Sequence, residues 1–416
     1  MSHSAADLDC DVAIVGAGQA GAALAALLAR HAGLPAARIL LLAPDAQSLG
    51  DPPPRDAPCD ARVVALSRAS QRVLEQADAW QRLPAARLCA YERMRVWHAS
   101  LAPDGLGALV FDAAELGEPS LGVIVENAAI TRACLQSFAA AGGVTLPRTL
   151  HGFDSGAERI VLQLDDGRCI AARLLVGADG AESLVRERLG IDVRRHAYGQ
   201  TAIVANVATA RPHAHTAWQR FLPTGPVALL PLFNGECSLV WSADDALAER
   251  LLTLSAEEFA ARLTVATDGV LGEVQLRSAR FSFPLQRATA RRLAGARAAL
   301  IGDAAHRIHP LAGQGINLGF LDAAALCEAV AGAVAEREDP GSARILRRYE
   351  QQRLSHDTLM SLGMSAFNAL FSQDGVRGWA GAQLLALAGS ARGVRRLLAQ
   401  RAMGLGGGLP RLARPQ

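Results

Sequence analysis

Apolar and polar positions along the chain alternate in two different rhythms. Cys10–Val15 is a largely apolar run that stops at Gly16, an Ala- and Leu-rich stretch from about 20 to 31 has helical character, and Arg38–Leu42 is apolar again. Strand, turn, helix and strand in this order predict a βαβ unit and a parallel sheet covered by helices. Asp51–Pro58 carries prolines at 52, 53, 54 and 58 and predicts a loop, because proline lacks the N–H that a helix or central strand needs.

Further on the rhythm changes. Val161–Val176 reads as a hairpin with Asp165-Asp166-Gly167 as its turn. From about Gln200 to Phe283 short runs alternate apolar and polar, among them Thr201–Val207, Val227–Pro231 and Cys237–Trp241, with the turn signal Asn234-Gly235 between the last two. This predicts an antiparallel sheet inserted into the first domain. The buried-type run Ala298–Ile301 then returns to the parallel pattern, ahead of a glycine-rich turn and a long helix. From Arg344 onward the pattern is helical.

Composition narrows the class. The 416 residues are 50% hydrophobic but only 5% aromatic, enough for two or three units with a large core. A net charge of +2, with arginine as the only strong base, gives no case for a nucleic-acid partner. The seven cysteines are scattered, form no CxxC and predict reduced, packed thiols; the histidines and cysteines show no metal-ligand spacing. No charged-then-apolar leader opens the chain and no uninterrupted apolar run approaches ~20 residues, so a cytoplasmic location is expected.

The first chemical motif is Gly16-Ala17-Gly18-Gln19-Ala20-Gly21, placed directly after a strand and opening a helix. Gly16 permits the tight turn, Gly18 lets backbone approach a pyrophosphate, and Gly21 lets helix and strand pack closely. The N–H groups of the helix start then offer partial positive charge to phosphate. An acidic residue normally ends the second strand and holds the ribose. Here Ala43 stands in that place, with Asp45 two residues on.

Two more motifs follow strands. One is Val176-Gly177-Ala178-Asp179-Gly180-Ala181-Glu182-Ser183-Leu184-Val185-Arg186; the other runs from Gly302-Asp303-Ala304-Ala305-His306 through His309-Pro310-Leu311-Ala312-Gly313-Gln314-Gly315-Ile316-Asn317 to Asp322-Ala323. Together with the first motif they make the chain resemble the FAD-dependent aromatic hydroxylases of the para-hydroxybenzoate hydroxylase type. The stretches 61–80, 117–130, 198–207, 225–241 and 309–326 further resemble the ubiquinone-biosynthesis hydroxylase family, and the similarity spans roughly 8–405.

The resemblance implies FAD as cofactor, NAD(P)H as electron donor and molecular oxygen as co-substrate. A flavin C(4a)-hydroperoxide would hydroxylate a polyprenylated phenol or benzoquinol ring. It places Asp303 on the ribityl chain, and Asp179 and Gly180 at the pyrophosphate and the nicotinamide donor. Pro310, Gly313, Gln314, Gly315, Ile316 and Asn317 would run beneath the flavin ring, where a helix start stabilises negative charge, and Arg62 would stand beside it. No general base is assigned: His196, Tyr198 and His309 are read as structural. Phe233, Trp241 and Trp218 are candidate walls of the substrate cavity. Alternative readings are a monooxygenase acting on another hydrophobic aromatic, and a non-catalytic flavin-binding member of a biosynthetic complex.

The expected fold is α/β: a Rossmann-like FAD-binding domain with a parallel sheet (1–80, 105–190 and 285–345), an inserted antiparallel-sheet substrate domain (81–104 and 191–284), and C-terminal helices (346–416). Residues 375–416 carry seven arginines and no acid among leucines and a tryptophan. That composition suits an anionic membrane surface at the inner face of the membrane, or other enzymes of the pathway. Gly404, Gly406, Gly407 and Gly408 follow no strand and predict a flexible tail.

Overall fold

The structure, a computed structural model, describes residues 8–44, 52–105, 108–307, 314–354 and 408–415. In chain order the strands are β1 (Leu8–Val15), β2 (Ile39–Leu42), β3 (Val63–Ser67), β4 (Cys89–Tyr91), β5 (Arg93–His98), β6 (Leu109–Asp112), β7 (Gly122–Glu126), β8 (Val144–Leu146), β9 (Leu150–Ser155) and β10 (Ile160–Leu164). They continue as β11 (Cys169–Gly177), β12 (Val193–Thr209), β13 (Thr216–Leu222), β14 (Gly225–Pro231), β15 (Cys237–Asp244), β16 (Val274–Leu276), β17 (Phe281–Ala290), β18 (Ala294–Gly295), β19 (Ala298–Leu300) and β20 (His306–Arg307). The helices are α1 (Gln19–His31), α2 (Arg68–Gln76), α3 (Asn127–Ala140), α4 (Leu184–Arg188), α5 (Asp245–Thr253), α6 (Ala256–Ala266) and α7 (Gln314–Ala335), and residues 343–354 form one more.

β1 lies at the centre of the first sheet, parallel to β2 on one side and β11 on the other, with β8 beyond β2 and β19 beyond β11. Strands covered on both faces read as nearly continuous apolar runs, and all four residues of β2 are buried. The hairpin β10–β11 closes through Gly167, whose φ of +83° suits glycine. α1 packs between α3 and α7.

The second sheet runs β20-β17-β12-β15-β14-β13-β5-β6, with β16 at the edge of β12. It is antiparallel except where β13 meets β5 in parallel, a join the local alternation cannot show. It also takes in β6, the whole of β17 and β20, so its strands cross the expected boundaries at 104/105 and 284/285. A third sheet, β3-β7-β4, has no counterpart in the sequence expectations, because its strands are short, distant in the chain and joined by no hairpin turn.

α7 contains a segment, Gly315–Ala335, long and apolar enough by length and composition to cross a membrane. Here it is a core helix: Phe320, Ala324, Leu326 and Val330 are fully buried in the first core. Apolarity on all sides means burial from all sides. Most of the basic stretch 375–416 lies outside the described residues, as do Gly404, Gly406 and Gly407. Residues 408–415 are no free tail: Leu409 and Ala413 are buried in the first core, and the Leu412 N–H donates to Glu328 at 2.8 Å. All seven cysteines are free thiols and six are buried.

Candidate cofactor and active site

The three glycine motifs meet at one place. The Gly16 N–H donates to Leu42 O at 2.9 Å, and the Ala178 N–H to Val15 O at 2.8 Å. A Cβ on Gly16 would sit 2.3 Å from Ala178 O, and one on Gly21 would sit 2.0 Å from Gly16 O. Gly302 and Gly319 press on Ala20, with Cβ positions 3.0 and 3.2 Å from its methyl. Gly18 differs: no protein atom lies within 4 Å of its Cβ position. It also caps α1 without a side chain, so the first-turn N–H groups of Gln19, Ala20 and Gly21 have no side-chain acceptor at the cap. This open, donor-rich notch fits a pyrophosphate. At the far end of β2, Ala43 is buried and offers no carboxylate; Asp45 lies outside the described residues.

Asp179 is held by its own turn. One carboxylate oxygen accepts from the Ser183 hydroxyl and the other from the Val185 N–H at 3.1 Å, so the carboxylate shapes the turn into α4. Ser183 caps α4 through the Arg186 N–H, and the Arg186 guanidinium donates to Ala181 O at 2.7 Å and Ala304 O at 3.0 Å. The second motif is thereby bolted to the third. Gly180 turns through φ +84° with open space beside it.

Asp303 has no hydrogen-bond or ion-pair partner among the described residues. The residue retains exposed surface, yet protein crowds its carboxylate, and the lost hydration raises its pKa above the ordinary carboxyl value; His306 and Arg307 pull the other way. An unpartnered, partly desolvated carboxylate beside the glycine notch is suited to accept hydrogen bonds from ribityl hydroxyls. Asp303→Ala is expected to raise the FAD dissociation constant at least about thirtyfold, the loss of one charge-assisted hydrogen-bond site. A yellow protein with wild-type affinity, measured by flavin fluorescence, would remove Asp303 from the cofactor site.

Beneath this turn lies a buried charge cluster with no assigned role in the sequence analysis. Asp322 on α7 is fully buried; one oxygen accepts Arg353 Nε at 2.6 Å, and the other lies 2.7 Å from His306 Nε2 and accepts the Gly302 N–H at 3.0 Å. From the same helix as Arg353, Tyr349 donates to Leu300 O at 2.8 Å and Glu350 accepts the Leu293 N–H at 2.6 Å. An acid in the middle of a largely apolar helix is the available signal, because a buried charge must find a partner.

Pro310 and Gly313, with His309, lie outside the described residues, and Gln314 and Gly315 open α7. Ile316 packs on the first core. Asn317 is occupied structurally: its Oδ1 accepts the Ser67 N–H (2.9 Å) and the Ser70 hydroxyl (2.6 Å), and its Nδ2 donates to Ala65 O (2.9 Å). It ties β3 to the start of α7. Arg62, just before β3, is exposed, and its side chain has no partner among the described residues.

The second sheet places two of the three substrate candidates on the face that packs under α5 and α6. Trp241 pairs in register with Ile203 and Val227 and lies 5.9 Å from the Phe259 ring, within the core under α5 and α6. Trp218 packs on the same core and meets Trp97 edge-on. Phe233 lies at the other side, its ring 4.6 Å from the Arg87 guanidinium. The opposite sheet face carries the in-register row Ala228, Val240, Val204 and Phe281, with Ser242, Ala202 and Phe283 beside it. Asn206, on this same face, donates to Cys59 O at 2.7 Å, so this is the face turned toward the cofactor unit. Strand alternation pairs these residues but cannot say which set looks inward. His196 is exposed and meets the half-buried Tyr198 edge-on at 5.0 Å, a structural contact.

An open, donor-rich notch, an unpartnered carboxylate beside it and an apolar sheet face turned toward the same unit are the arrangement of a dinucleotide-binding site next to an apolar surface. Residues 146–361 match the FAD binding domain family. The chain is 37% identical over 366 residues to 3-demethoxyubiquinol 3-hydroxylase of Escherichia coli (strain K12), covering 88% of this chain and 90% of that protein. It is 35% identical over 371 residues to ubiquinone hydroxylase UbiL of Rhodospirillum rubrum (89% and 83% covered), and 32% identical over 410 residues to the mitochondrial ubiquinone biosynthesis monooxygenase COQ6 of Danio rerio (88% and 83%). The chain belongs to this family of FAD-dependent monooxygenases. The fold matches p-nitrophenol 4-monooxygenase PnpA from Pseudomonas putida DLL-E4 with a TM-score of 0.74 at 17% identity, over 95% of this chain and 98% of that one. It also matches P. aeruginosa PqsL with a TM-score of 0.69 at 23% identity, over 94% and 100%.

Proposed function

We propose that this enzyme hydroxylates the ring of a polyprenylated phenol or benzoquinol in ubiquinone biosynthesis. The observation that carries the reading is the near full-length likeness to hydroxylases named for ubiquinone and its demethoxy precursor. Bound FAD, reduced by NAD(P)H, supplies activated oxygen for an electron-rich ring. The chain's own residues hold the pyrophosphate at Gly18 and the ribityl chain at Asp303, and orient the ring against the face of Val204, Ala228 and Val240. That apolar face excludes water and suits a lipophilic substrate.

Purified protein given FAD, NAD(P)H, oxygen and a polyprenylated phenol should yield a ring-hydroxylated product; NAD(P)H oxidation without product would overturn the proposal. Val240→Trp fills the inward face and is expected to raise KM at least about tenfold while FAD affinity holds. Trp241→Phe, on the far face, should lower stability and leave KM unchanged. Equal KM effects from both would reverse the assignment of faces.

The basic stretch 375–407 is proposed to meet an anionic membrane, where such a substrate dissolves. Replacing Arg377, Arg392, Arg395, Arg396 and Arg401 with Gln tests this without disturbing the docked residues 408–415. Flotation with anionic liposomes should be lost; unchanged flotation would exclude the stretch.

A further inference from the structure

Arg87 ends a short helical turn (Ala85–Arg87) and is 3% exposed. Its guanidinium grips both oxygens of Glu126, through Nε at 2.8 Å and Nη2 at 2.7 Å. Its remaining hydrogens reach the carbonyls of Pro54 (2.8 Å), Ala57 (2.9 Å) and Pro58 (3.1 Å), with that of Arg55 at 3.4 Å. Phe233, in the β14–β15 turn, covers the guanidinium plane. Glu126 also accepts the Asp60 N–H at 2.8 Å. A loop that is rich in proline and poor in its own hydrogen bonds is thus gathered around one buried arginine.

A buried ion pair is a costly way to hold a loop, since a well-packed apolar contact often does as well. What distinguishes this one is where the loop leads. It ends at Arg62, whose N–H donates to Asp60 Oδ1 at 2.9 Å and whose carbonyl accepts the Asn127 N–H at 3.1 Å. Glu126 and Asn127 are consecutive, so one corner of β7 and α3 holds the loop on both sides of Arg62. β3 follows at once and is tied to the start of α7 by Asn317. The Arg62 side chain, held at this corner by its backbone on both sides, is exposed and has no partner among the described residues.

We infer that Arg87, with Glu126, is a positioning residue that sets the Arg62 guanidinium against the flavin. The inference rests on the reading of Arg62 as a cofactor-side residue. Arg87 touches no reacting atom; it fixes the Pro54–Asp60 backbone, and that backbone fixes Arg62.

The test uses the full chain and FAD. Arg87→Lys keeps a charge against Glu126 but cannot span a carboxylate and three carbonyls at once. It is expected to speed tryptic cleavage at Arg55–Asp56, followed by mass spectrometry, about tenfold. It should weaken FAD binding about tenfold and alter the bound-flavin absorption spectrum in the direction that Arg62→Met does. In the double variant the loss should be no greater than for Arg62→Met alone, because the two act through one contact. Multiplying losses, or cleavage at the wild-type rate in Arg87→Lys, would overturn the inference and leave Arg62 at the flavin. Wild-type FAD affinity and spectrum in Arg62→Met would overturn the Arg62 reading and the inference with it.

Discussion

Asp322→Ala is expected to lose FAD and to cost about 3–5 kcal/mol of stability, the usual result of breaking a buried charge pair and stranding its partner. Arg353 is buried and would keep its charge without its carboxylate, and the Gly302 N–H and His306 would lose theirs. Gly302 precedes Asp303, so the turn that presents the Asp303 carboxylate loosens with the core. Burial pushes the Asp322 carboxyl up, but His306 and Arg353 and the hydrogen bonds it accepts hold it below the ordinary range. With the folded value depressed, its contribution is present in full above the ordinary carboxyl pKa of ~3.9 and is lost as pH falls through the lowered folded value. The stability gap between wild type and variant should therefore narrow below about pH 4. Denaturant melts of the apoprotein check the size of the effect; a loss under about 1 kcal/mol would show that the cluster is no more than a surface-grade pair.

Gly18→Val is expected to abolish FAD binding while leaving the apoprotein as stable as wild type. The backbone there is ordinary extended chain, φ −63° and ψ 176°, so a β-branched residue brings no strain. Its side chain would meet no protein atom within 4 Å of Cβ. It would occupy the notch that the pyrophosphate needs, raising the dissociation constant at least about a hundredfold, or about 2.7 kcal/mol. Gly21→Val is the contrast, because its Cβ would collide with Gly16 O and the fold itself should fail. Thermal melts of both apoproteins and FAD titration of the first make the comparison. Wild-type FAD affinity in Gly18→Val would mean the cofactor does not cross this turn.

These two sites differ in how visible they are in the chain. Gly16, Gly18 and Gly21 stand within six residues of one another, and a strand, a tight turn and a helix start are local events with local composition. The same holds for the β10–β11 hairpin and for Asp303 after its short strand. The Asp322–Arg353 pair and the Arg87–Glu126 clamp join residues far apart in sequence, and no single segment carries a signal for the partner. The β3-β7-β4 sheet escaped for the same reason. Asp179 shows a subtler limit: its motif is plain, but only the turn geometry reveals that its carboxylate also holds Ser183 and the start of α4.

The amino-acid order by itself determined the parallel cofactor unit, the glycine notch and the second, antiparallel sheet, because each follows from short-range periodicity or turn chemistry; the ribityl role of Asp303 comes from the family resemblance alone. It also carried the family, through motifs spread along the chain. Tertiary structure decided which face of the second sheet looks inward, setting Val204, Ala228 and Val240 toward the cofactor unit and packing the buried Trp241 and half-buried Trp218 into the opposite core. A two-residue alternation defines two faces equally well, and only packing against a partner layer makes one of them the inside.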